Sequence, residues 1–112
     1  MKLPADDAII DRDKLREYVL AHEHPDGWSK ARYLGGLGYV RDNWQRLEAD
    51  LRRQILTLEA ESLDESSWGV KYEILGLLTG PNGRTGGIRS IWIVRRGETQ
   101  PRLVTLIPWS EP

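Results

Sequence analysis

Val70-Lys71-Tyr72-Glu73-Ile74-Leu75-Gly76-Leu77-Leu78-Thr79 is followed, after an eight-residue loop, by Ile88-Arg89-Ser90-Ile91-Trp92-Ile93-Val94. In the first stretch Val70, Tyr72, Ile74, Gly76 and Leu78 alternate with Lys71, Glu73, Leu75, Leu77 and Thr79, the two-residue period of a strand. The second is β-branched and aromatic almost throughout, which suits a pleated, buried surface. The loop between them, Gly80-Pro81-Asn82-Gly83-Arg84-Thr85-Gly86-Gly87, is dense in turn residues, and Asn82-Gly83 supplies the positive φ of a tight hairpin. Arg95-Arg96-Gly97-Glu98 turns the chain again, and residues 102–107 give a last strand. A weaker run at residues 55–61, closed by a turn at Asp64-Glu65-Ser66-Ser67, completes a set of four.

Upstream of the strands the period changes to that of a helix. Leu15, Tyr18, Val19 and His22 recur at i, i+3, i+4 and i+7. Asp11 is placed to cap that helix, with Ile10 and Leu15 at the positions of a hydrophobic staple. His24-Pro25-Asp26-Gly27 breaks it. Ser29 is the expected cap of a short second helix carrying Ala31 and Leu34, ended by Gly35, Gly36 and Gly38. Asp42-Asn43-Trp44-Gln45 resembles a capping box that opens a third helix with Trp44, Leu47 and Leu51 on one face. Helices before strands predict an α+β fold: two to three N-terminal helices packed on one face of a four-stranded antiparallel meander. The expected organisation is a single domain over residues 1–112, mainly helical over 1–54 and mainly strands over 55–108.

Composition limits the chemistry. The 112 residues are 39% hydrophobic and 29% charged, which suits one globular core. No apolar run reaches the ~18 residues a membrane helix needs. Met1-Lys2-Leu3-Pro4 does not open a signal peptide, so a cytoplasmic location is expected, with no membrane partner. With no cysteine, disulfides, cysteine-ligated zinc and thiol nucleophiles are excluded. His22 and His24 are the only histidines and their spacing does not suit a metal, so no metal and no cofactor is expected. The net charge of −1 divides unevenly. Residues 1–68 carry ten Lys and Arg against fourteen Asp and Glu, and residues 69–112 carry six against three. A surface for a polyanion therefore belongs to the strand half.

Within these limits His24 is the candidate acid/base. Arg84 and Arg102 belong to a cluster of cations in the strand half that, with the Thr105 hydroxyl, would suit phosphoryl chemistry. Each also has a plain structural use: a turn histidine, solvated cations on a sheet face, and a β-branched strand former. Arg84 is the one residue of its loop that a turn does not require. Trp44 and Trp92 stand on patterned faces and belong to the core. Trp28, Trp68 and Trp109 lie in loops or at the end, where tryptophan stacks bases, anchors a protein or closes a small core.

Several stretches together resemble a known family. They are Leu3-Pro4-Ala5, Asp11-x-x-Lys14-Leu15-x-x-Tyr18-x-Leu20, His24-Pro25-x-Gly27-x-x-Lys30-Ala31-Arg32, Leu37-Gly38-Tyr39, Asn43-Trp44, Gly69-x-Lys71-Tyr72, Gly76-x-Leu78-Thr79-Gly80-Pro81-Asn82-Gly83-Arg84, Ile91-Trp92-Ile93-Val94 and Pro101-Arg102-Leu103-Val104-Thr105. The chain resembles small bacterial domains of unknown function found in toxin–antitoxin-like gene pairs. More distantly its architecture resembles the barnase–EndoU–colicin–RelE ribonuclease superfamily. That likeness implies a toxin acting as a metal-independent endoribonuclease, with RNA as substrate, a small cognate antitoxin or immunity protein as partner, and His24, Lys30, Arg84, Arg102 and Thr105 around the phosphate. The competing reading is a non-catalytic partner-binding module, immunity- or antitoxin-like, of a toxin operon. The sequence does not fix an oligomeric state.

Overall fold

The structure, a computed structural model, describes residues 1–3, 7–20 and 28–109, apart from the side chains of Trp28 and Ser29. Among the described residues, three helices precede four strands. Helix α1 begins as an α-turn at Arg12–Lys14 and continues as a π-helix over Leu15–Val19. Helix α2 is Trp28–Gly35. Helix α3 opens with a 3-10 turn at Arg41–Asn43, runs as α-helix through Trp44–Asp50 and ends as a π-helix at Leu51–Ile55. The strands are β1 Glu61–Ser66, β2 Gly69–Thr79, β3 Thr85–Arg95 and β4 Pro101–Pro108. They form one antiparallel meander in the order β1-β2-β3-β4. This is the expected α+β architecture. Among the described residues no helix is long and apolar enough to cross a membrane.

The helices share one sheet face because the alternation of β2 and β3 leaves only one apolar enough to bury. Ile74, Leu78, Ile88 and Trp92 on that face are all at most 1% exposed. Leu15, Val19, Leu34, Leu47, Leu51 and Ile55 meet them from the helices. Each such side chain, fully buried, contributes about 1.5–3 kcal/mol. Trp92 brings a polar N–H into this core. Its Nε1 donates to Ser90 Oγ at 2.8 Å, and Ser90 Oγ donates to the Ile74 carbonyl at 3.1 Å, so neither group is left unpaired.

A second buried polar group fixes α3. Asp50 is 0% exposed. Its carboxylate accepts from the Tyr39 hydroxyl at 2.6 Å, from Arg46 Nε at 3.0 Å and from an Arg53 guanidinium nitrogen at 2.6 Å. Burial works to raise the Asp50 pKa, but the hydrogen bonds from Tyr39, Arg53 and Arg46 outweigh it and hold the carboxyl below its usual range. For Tyr39, burial and then the bond to Asp50 push the hydroxyl well above its ordinary pKa.

Three local expectations are corrected. The first strand is Glu61–Ser66, not residues 55–61, and Asp64 to Ser66 belong to it rather than to a turn. Ile55 and Leu56 instead extend the buried face of α3, at 0% and 1% exposure. Strand β1 is an edge strand with every residue exposed, so it shows no apolar alternation. Ser29 lies inside α2 and does not cap it. At α3 the Val40 N–H donates to Asn43 Oδ1 at 2.8 Å, and Asn43 Nδ2 donates to the Gly38 carbonyl at 2.9 Å. Asn43 thus does the capping, and Asp42 sits within the turn. Asp11 does cap α1, accepting from the Asp13 N–H at 2.8 Å.

Candidate functional site

Strand β4 carries an irregularity that shapes its outer edge. Thr105 stands opposite Ile91 while Leu103 stands opposite Trp92, so Val104 is an extra residue in the ladder. Such a bulge bends a strand and re-aims its side chains. The Val104 carbonyl, freed from the ladder, accepts from Lys14 Nζ at 3.0 Å. Beside it Lys30 Nζ donates to Thr105 Oγ1 at 2.7 Å and to the Tyr18 hydroxyl at 3.2 Å. The ammonium also lies 4.5 Å from the Tyr18 ring centroid, a cation–π contact. Helix α2 reaches this edge because Ala31 and Leu34 bury into the core at 1% exposure each, which turns Lys30 to the flank. The edge itself is steadied by the segment before α1. Ile9 N donates to the Pro101 carbonyl at 2.8 Å, and Leu103 N donates to the Ile9 carbonyl at 3.0 Å.

The result is one half-buried ammonium between two hydroxyls, with no carboxylate paired to it among the described residues. The ammonium has a third proton beyond the two it gives these hydroxyls, and the Thr105 hydroxyl, now donating to the Leu106 carbonyl at 3.5 Å, can turn toward a ligand, so the pair suits an oxyanion.

The proposed site residues separate into groups. Lys30 and Thr105 are in direct contact. Arg102 lies on the same strand, three positions before Thr105, with its guanidinium on Glu98 at 3.2 Å. Arg84 stands elsewhere, in the turn between β2 and β3. Antiparallel pairing puts that turn beside Thr79 and Thr85, whereas Arg102 pairs with Ile93 near the other end of β3. Six residue steps along β3 separate Thr85 from Ile91, or about 20 Å at the rise of a strand. Arg84 and Lys30–Thr105 therefore do not form one cleft. Arg84 instead lines an open groove of about 570 Å³ with Arg32, Tyr33 and Thr85. Gly86 leaves room there for Tyr33, whose hydroxyl donates to the Gly87 carbonyl at 2.8 Å; a Cβ on Gly86 would strike that hydroxyl. His24 lies outside the described residues. Among the described residues no three His, Asp or Glu converge as a metal site would need.

Two participants were not among the expected site residues. Tyr18 reads as a core position by its spacing from Leu15, and only its ring obeys that pattern; its hydroxyl leaves the core for Lys30. Lys14 gave no signal, since its partner is a backbone carbonyl exposed by a bulge. Another half-buried pair, Glu73 with Arg89, joins β2 to β3 on the sheet face away from the helices.

Residues 2–110 match a family described as a domain of unknown function, DUF6883. The chain belongs to the DUF6883 family. No curated protein matches it in sequence. Among solved structures, this DUF6883 chain is similar to one in the contact-dependent growth inhibition toxin–immunity protein complex from Klebsiella pneumoniae 342. The TM-score is 0.66 at 17% identity, covering 91% of this chain and 100% of that one. At that identity the likeness is one of fold.

Proposed function

We propose that this DUF6883 domain is the toxin of a bacterial toxin–immunity pair and acts as an endoribonuclease that needs no metal. The observation that carries the reading is the Lys30 ammonium held between Thr105 and Tyr18 at the β4 bulge. The fold likeness to a chain of a toxin–immunity complex supports it.

The reaction is an internal transesterification. The ribose 2′-oxygen attacks the adjacent phosphorus, the bond from phosphorus to the 5′-oxygen breaks, and the products are a 2′,3′-cyclic phosphate and a free 5′-hydroxyl. A base accepts the 2′-hydroxyl proton and an acid protonates the leaving 5′-oxygen. His24, six positions before Lys30, is assigned as the base that takes the 2′-hydroxyl proton, and a solvent water supplies the proton to the leaving 5′-oxygen. Lys30 and Thr105 place a charge and a hydroxyl on the non-bridging oxygens as negative charge grows there. Arg102 holds a neighbouring phosphate, after exchanging Glu98 for it. Arg84 has no part in this site.

Purified protein incubated with RNA and chelator tests the reading. Cleavage with cyclic-phosphate ends is expected, reduced at least a hundredfold in Lys30→Met and in His24→Ala. Intact RNA with folded protein overturns it. The second reading is a non-catalytic module of the immunity type, favoured by the presence of an immunity protein in the similar complex. It predicts harmless expression, and protection of cells against a co-expressed toxin.

A further inference from the structure

Two turns meet at the end of the sheet far from Arg84. Ser67 and Trp68 join β1 to β2, and residues 96–100 join β3 to β4. The Arg96 N–H donates to the Trp68 carbonyl at 2.9 Å, which fastens one turn to the other. Gly69 permits the approach. Its φ is +148°, and a Cβ there would lie 2.8 Å from Arg95 Cα and closer still to the Val94 carbonyl oxygen. The indole of Trp68 is left 79% exposed. A single apolar residue at a surface is ordinary, but this one borders a groove of about 600 Å³ whose other walls include Ile93, Arg95 and Arg96.

The charge of the groove is one-sided. Ile93 and Arg95 also line a smaller neighbouring cavity with Lys14, Arg102 and Val104. The two cavities together present four cations, Lys14, Arg95, Arg96 and Arg102, against two carboxylates, Asp11 and Glu98. Glu98 is already engaged by Arg102. Among the described residues neither Arg95 nor Arg96 is paired with a carboxylate. The run of cations ends at Val104, whose carbonyl holds Lys14 and whose neighbour Thr105 holds Lys30.

We propose that this groove is a subsite for single-stranded RNA, in which one base stacks on Trp68 and Arg95 and Arg96 hold the flanking phosphates. An aromatic platform beside free guanidiniums is the chemistry that tracks single strands, since every base has a π-face and every nucleotide a charge. A duplex keeps its bases stacked on one another and does not offer one to Trp68. The inference rests on the ribonuclease reading and adds that the substrate is single-stranded and extends from the Lys30–Thr105 cluster toward Trp68.

The test uses the full chain and a short fluorescein-labelled RNA with 2′-O-methyl riboses, which has no 2′-proton and is not cut. Anisotropy titrations are expected to show binding of the single strand, about tenfold weaker in Trp68→Ala. In Arg96→Ala the salt dependence becomes shallower by roughly the share of one phosphate contact. The duplex of the same sequence binds more weakly than the strand. Equal affinity in the parent protein and Trp68→Ala overturns the subsite. So does Trp68-dependent binding of a labelled polyglutamate peptide without binding of RNA, which would make the groove a dock for an acidic protein. Trp68-dependent binding of the modified strand, with unmodified RNA left intact, supports the subsite and removes the ribonuclease reading instead.

Discussion

Replacing Asp50 by alanine tests whether one buried carboxylate ties α3 to the loop before it. Asp50 is 0% and Tyr39 1% exposed, while the Arg46 and Arg53 side chains are 49% and 68% exposed. The two arginines return to water when the carboxylate goes, so each contributes about 0–1 kcal/mol. Tyr39 has no such recourse. Its hydroxyl can turn only to the Thr79 carbonyl at 3.3 Å, a poorer bond than the charged one at 2.6 Å. Loss of a bond to a charged acceptor costs about 1.5–3 kcal/mol. The expected loss for Asp50→Ala is therefore about 1.5–5 kcal/mol, a large share of the ~5–15 kcal/mol that holds a domain of this kind. Urea denaturation at pH 7, followed by circular dichroism, measures it, with an unchanged m-value showing that the unfolding remains two-state.

The same residue predicts an acid limb. The folded pKa of Asp50 is lowered, so its contribution is full above the unfolded value of about 4 and is lost as pH falls through the folded one. Asp50→Asn should flatten the stability profile below that point relative to the parent. A cost under about 1 kcal/mol for Asp50→Ala at pH 7 falls below the range worked out for its bonds. That result, or an acid limb unchanged in Asp50→Asn, would mean that the Asp50 carboxylate does not hold Tyr39 and α3 together.

Other substitutions probe the remaining parts of the account. Gly69→Ala meets the β3 backbone at Val94 and Arg95, so it should lower stability by more than about 2 kcal/mol in thermal melts. Ser90→Ala removes the bridge between the Trp92 indole and the Ile74 carbonyl and should cost about 1–3 kcal/mol by urea titration. For RNA cleavage, Thr105→Val should reduce kcat about 100- to 1,000-fold, as loss of one hydrogen-bond donor to a developing charge does. Arg84→Ala should leave the rate within a factor of two, because its turn is far along β3 from Ile91.

The fold was legible where side chains alternate across a buried sheet. Strands β2 and β3 declared themselves because Ile74, Leu78, Ile88 and Trp92 had to face the helices. Strand β1 stayed hidden because nothing on it is buried, and the apolar residues just before it serve the end of α3. At the site, the ribonuclease likeness singled out Lys30 and Thr105, but their contact spans 75 positions and no local period encodes that. The bulge that presents Thr105 is likewise invisible, since an extra residue in a strand changes pairing and not composition. Arg84 and Arg102 were expected around one phosphate, and the meander separates them, because two antiparallel strands of this length put successive turns at opposite ends.

Cleavage of RNA by the purified protein in chelator, compared with Lys30→Met of equal thermal stability, decides whether the Lys30–Thr105 cluster cuts RNA. Fragments ending in 2′,3′-cyclic phosphate are expected from the parent protein, and at least a hundredfold slower cleavage by the variant. RNA left intact by the folded parent, or cut equally fast by Lys30→Met, would mean that the cluster does not cut RNA.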